Sequence, residues 1–163
     1  MKFASFLLLA GGLLSAIPAH AQCTDNRLNR TQLDLLLQPA ATTMVLVCGR
    51  PDTGYAGNAA DRWQEEHNNG GAYGVTTPLF DFKLGGGIVD PRVQVGTWRN
   101  DGTGNGATVI HTYGSTSYTW SVHGPNSNTA GTSIYYFCSG TSPVVRAYVR
   151  PNVTTGCGGT FPP

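Results

Sequence analysis

From residue 43 to residue 150 the chain offers no helical apolar period. Short runs of β-branched and aromatic residues alternate with Gly, Asn, Asp, Ser and Pro, the pattern of consecutive strands and turns. The clearest run is residues 117–123, where Tyr118, Trp120 and Val122 alternate with Ser117, Thr119, Ser121 and His123. A period of two puts the large apolar groups on one face. Residues 108–113 precede it across Gly114-Ser115-Thr116, a hairpin with a short Gly-containing loop. Further strands are expected at 43–48, 62–67, 79–84, 93–100, 134–139 and 144–150, about eight in all. No connection is long and helical enough to carry a parallel crossover, so neighbours should pair antiparallel.

A sheet of that size must close or fold over to bury one face. The expected fold is all-β, a small antiparallel up-and-down barrel, with a two-sheet sandwich as the alternative. One short helix is expected within 26–38, where Leu28, Leu33, Leu35, Leu36 and Leu37 cluster before Pro39. The segments 49–60 and 151–163, rich in Gly, Pro and small residues, are expected to be irregular.

The start of the chain has the three-part pattern of a secretory signal peptide: Lys2, an apolar stretch from Phe3 to Ile17, then Ala19-His20-Ala21. Residues 1–21 are read as that signal and 22–163 as a single β domain. Gln22 rather than a small residue precedes Cys23, so no lipid anchor is expected. The apolar run is short of the ~20 residues a transmembrane helix needs, and no membrane insertion is expected. Without Lys2 the ten basic residues become nine against nine acidic, which argues against a nucleic-acid partner. Cys23, Cys48, Cys138 and Cys157 all follow the signal and lack Cys-x-x-Cys spacing, pointing to structural disulfides in a periplasmic or secreted protein. Pairing Cys23 with Cys48 and Cys138 with Cys157 would tie the helix to the first strand and the tail to the sheet; it is one of three connectivities.

Gly96-Thr97-Trp98-Arg99 resembles the Gly-x-Trp strand of lipocalin-like and avidin-like barrels, where the tryptophan closes one end. Those four residues lie about three strands into the sheet rather than on the first, so the resemblance implies architecture and no ligand.

Candidate chemistry is sparse. Strand alternation puts Trp63, Glu65 and His67 on one face, a carboxylate and an imidazole that could serve as acid and base. No His-Glu-x-x-His spacing is present. His111 shares a face with Val109 and Tyr113, and in the expected register it does not oppose His123. The stretch 101–106 alternates oxygen ligands as calcium loops do, but Thr112 stands where a bidentate Glu should be. No metal site and no cofactor are expected. A nuclease-like hydrolase could be assembled from Glu65, His67, Arg99 and His111; a secreted inhibitor or surface-structural protein is a further alternative. Aromatic residues are plentiful in the β region, and where both faces of a strand carry them one face must cover something besides the core. The favoured reading is a non-catalytic binding barrel for a small apolar or aromatic ligand, or a protein partner, with Trp63, Trp98, Trp120, Tyr118 and Tyr135 as binding residues.

Overall fold

The computed structural model describes residues 23–39, 44–52, 62–68, 74–81, 93–124, 133–151, 156–157 and 160–162. The expected signal peptide and most of the two segments expected to be irregular lie outside these. Helix α1 (Arg30–Leu37) is followed by β1 (Met44–Pro51), β2 (Trp63–Asn68), β3 (Thr77–Asp81), β4 (Val93–Asp101), β5 (Thr108–Tyr113), β6 (Thr116–His123), β7 (Ile134–Ser139) and β8 (Ser142–Pro151). Each strand pairs antiparallel with the next, and β8 returns to β1, so the sheet is a closed barrel in chain order. Closure gives every strand two neighbours, which resolves the choice between barrel and sandwich. The β5–β6 register pairs His111 with Tyr118 and Tyr113 with Thr116, one residue tighter than the expected turn. Gly114 supplies the positive φ (58°) that this tight turn needs.

An eight-stranded barrel has an interior just wide enough to be filled by side chains or to hold one small ligand. At one end it is filled. Asn29 caps α1 by accepting from the Gln32 amide, and Gln32 reciprocates at the Asn29 amide, satisfying donors that a helix start leaves unpaired. The capped helix places Leu33, Leu36 and Leu37 in one cluster with Val45, Leu79, Trp98, Val109, Val122, Tyr135 and Val149. Each fully buried leucine contributes about 1.5–3 kcal/mol by burial. The Leu28 amide donates to the Val122 carbonyl (2.8 Å), and Asn100 Nδ2 donates to Asp34 Oδ1 (2.9 Å), fixing the plug to β6 and β4.

The disulfides join Cys23 to Cys138 and Cys48 to Cys157, which corrects the pairing of sequence neighbours. Barrel closure is the reason. The N-terminal segment runs beside the end of β6, Arg27 bridging to His123, which brings Cys23 to β7. The C-terminal tail crosses the outer face of β1, where Cys157 and Phe161 pack with Leu46, Cys48 and Tyr148. Buried Arg50 donates from Nε to the Pro162 carbonyl (2.8 Å), and the Cys157 amide donates to Gln64 Oε1. The tail thereby accounts for β1 being buried on both faces.

Gly96 is required by a close approach: a Cβ there would stand 2.2 Å from the Thr112 carbonyl oxygen on β5. Trp98, two residues on, is buried against the helix-end core and donates its indole N–H to the Asn68 carbonyl (3.2 Å). The tryptophan of the Gly-x-Trp segment is thus a core residue beneath the helix, on β4 rather than on the first strand.

Candidate functional site

The other end of the barrel is not filled. Its inward residues enclose a cavity of about 170 Å³ lined by Val47, Trp63, Glu65, His111, Tyr113, Trp120, Phe137 and Val145. These come from β1, β2, β5, β6, β7 and β8, all inward positions of the alternation that fills the helix end. Gly49 on β1 pairs across from Trp63 on β2. A Cβ at Gly49 would lie 2.7 Å from Trp63 Cε2 and 2.9 Å from Cζ2 and Nε1. The absent side chain lets the indole lie flat on the strand as a wall of the cavity. Trp120 is held opposite by stacking on Tyr118 (5.9 Å between centroids, planes 6° apart).

A polar cluster forms the cavity floor. Tyr113 donates its hydroxyl to Glu65 Oε1, while Glu65 Oε2 is 3.9 Å from His111 Nδ1. Beneath these, His111 Nε2 and His67 Nε2 are 2.9 Å apart, and His67 packs edge-on against Trp98 (4.8 Å). His67 is fully buried and His111 nearly so.

Burial dominates the electrostatics. It raises the Glu65 carboxyl above its ordinary range; the Tyr113 hydrogen bond pulls the other way, and the Asp81 charge pushes further upward. Burial holds His67 well below the usual imidazole range, reinforced by His111, and lowers His111 to about 4. Burial and then the neighbouring Glu65 raise the Tyr113 phenol. Both imidazoles are therefore neutral near pH 7. Since a carbonyl can only accept, His67 Nδ1 carries the proton directed at the Glu65 backbone oxygen (3.4 Å). Its Nε2 is then a bare lone pair facing His111.

The structure thus brings together Trp63, Glu65, His67, His111 and Trp120 of the residues singled out from sequence. It separates the others. Trp98 and Tyr135 are buried in the helix-end core, and Arg99 sits on the opposite face of β4 from Trp98, 3.7 Å from Asp101; Tyr118 does not line the cavity but borders it, 45 % exposed, stacked on Trp120 and edge-on to Tyr113 at 6.0 Å. The hydrolase set loses its cation to that outer position. His123 lies elsewhere, between the Asp25 carbonyl and Ser121. Tyr113, Val47, Phe137 and Val145 complete the wall and were not singled out. The signal for Tyr113 was there: it shares a period-two face with His111, and closing the barrel turns that face toward Glu65.

Comparison of the chain with protein-family models, with curated proteins and with solved structures finds no match in any of the three. Among the described residues no helix is long and apolar enough to cross a membrane.

Proposed function

We propose that this protein is an extracytoplasmic, non-catalytic binding barrel whose cavity takes one compact ligand with an aromatic or apolar body and a single hydrogen-bonding group. The observation that carries this reading is the asymmetry of the interior. One end is packed with leucine, valine and tryptophan, while the other keeps a cavity of about 170 Å³ whose apolar wall surrounds one carboxyl, one phenol and one imidazole. Buried polar groups cost free energy relative to a packed apolar core, and few, convergent polar groups in an otherwise apolar pocket are the usual form of a small-molecule site.

Size limits the ligand. Apolar cavities of about 150 Å³ hold benzene, so a single ring fits and a long acyl chain does not. A ring burying about 150–200 Å² gains about 4–5 kcal/mol at ~25 cal/mol per Å², a Kd of order 0.1–1 mM. A hydrogen bond to Glu65 adds about 1 kcal/mol. The two disulfides suit an oxidising compartment, and with the signal-like leader they support a periplasmic or secreted protein.

The test is a tryptophan-fluorescence titration of the mature, chelator-treated protein with phenol, benzene and palmitate. Saturable quenching by phenol, weaker by benzene and absent with palmitate is expected. No response to phenol, or saturation by palmitate, overturns the reading.

A further inference from the structure

We infer that the cavity floor is a site for one divalent transition-metal ion, with Nε2 of His67 and Nε2 of His111 as nitrogen ligands and Glu65 as the carboxylate. Among the described residues, Glu65, His67 and His111 form the one group of three in which a donor atom of each lies within 4.8 Å of those of the other two. Imidazole nitrogens and a carboxylate are the donor set that zinc and its neighbours favour, and three protein ligands with a free position is the form of an open rather than a structural site. The free position here faces the cavity, which Glu65 and His111 line.

The pair of imidazoles is arranged as ligands are. Each directs Nε2 at the other, and His67 has an acceptor at its second nitrogen, the Glu65 carbonyl 3.4 Å from Nδ1. An acceptor on the second ring nitrogen fixes the tautomer that leaves Nε2 bare. Two bare nitrogens 2.9 Å apart repel unless something positive lies between them. A proton on His111 Nε2 is one solution, and a metal is the other. Tetrahedral bonds of ~2.0–2.1 Å place two nitrogens roughly 3.4 Å apart, half an ångström wider than now, which small ring rotations provide.

This inference does not depend on the organic ligand, and its test uses the metal alone. Chelator-treated mature protein is titrated with Zn²⁺ by calorimetry, and the histidine ring ¹⁵N resonances are followed in the wild type. One Zn²⁺ per chain is expected, with the Nε2 resonances of His67 and His111 shifting and those of His123 unmoved. H111Q and E65Q should each weaken binding by at least roughly tenfold. An absence of stoichiometric binding would leave the two rings as a plain hydrogen-bonded pair and overturn the proposal. So would binding unchanged in H111Q, or shifts confined to His123. The ring resonances decide the matter in wild-type protein even where a buried substitution prevents folding.

Discussion

Gly49→Ala separates ligand binding from folding. The added Cβ would meet three atoms of the Trp63 indole at 2.7–2.9 Å, whereas carbon atoms rest at about 3.5–4.0 Å. The ring must therefore retreat by about 1 Å. Gly49 is an inward position of β1, so the retreat carries the indole into the cavity. Folding gains about 0.5–1 kcal/mol from replacing a strand glycine and loses a similar amount through the displaced ring, so net stability should stay within about 1 kcal/mol of wild type. Binding has no such offset. A ligand that fitted the cavity is now overpacked, at about 1–3 kcal/mol, so the Kd for phenol should rise about 5- to 100-fold. The assay pairs a urea denaturation curve with the phenol titration. Unchanged phenol affinity in a variant of unchanged stability would refute the claim that Trp63 is a cavity wall.

Other outcomes follow from the same geometry. Leu37→Ala, in the plug, should cost about 2–5 kcal/mol and lower the Tm by on the order of 10 °C, read by thermal denaturation, while phenol affinity stays the same at 25 °C. Asn29→Ala should cost about 1 kcal/mol by removing the helix cap, seen in the same melt. Gly96→Ala sets a methyl against the Thr112 carbonyl oxygen, a backbone atom that cannot swing aside; it should cost at least about 1–3 kcal/mol and raise amide exchange across β4–β5. The double replacement of Cys48 and Cys157 by serine opens a link spanning 109 residues. In the chain-entropy account it should cost about 4–5 kcal/mol, and limited proteolysis should then cut the tail first.

Much of the architecture was legible because it rests on local rules. Alternation in Ser117–His123, the Gly114 turn and the leucines before Pro39 require only period and punctuation, and they gave the strands, the meander and the helix. What they could not give was anything dependent on closure. Cys48 reaches Cys157 only because the tail crosses β1, and Cys23 reaches Cys138 only because the N-terminal segment runs beside β6. Trp98 and Tyr135 look like binding residues in a list of aromatics, yet the plug covers them. The site was legible in halves. The faces Trp63/Glu65/His67 and Val109/His111/Tyr113 each follow from alternation, but β2 and β5 are not neighbours, and only a barrel turns both faces inward to meet. Metal-ligand spacing failed for the same reason: His67 and His111 are 44 residues apart, and no local motif records a contact across a barrel.

The most direct test of the binding barrel is a ¹H–¹⁵N titration of the mature protein with phenol under chelating conditions. Shifts that saturate together and cluster on Val47, Trp63, Glu65, His111, Trp120 and Val145, with the helix-end residues Leu33, Val109 and Val149 unmoved, are the predicted result. Shifts scattered over the outer face, centred on α1, or absent at saturating phenol would contradict it.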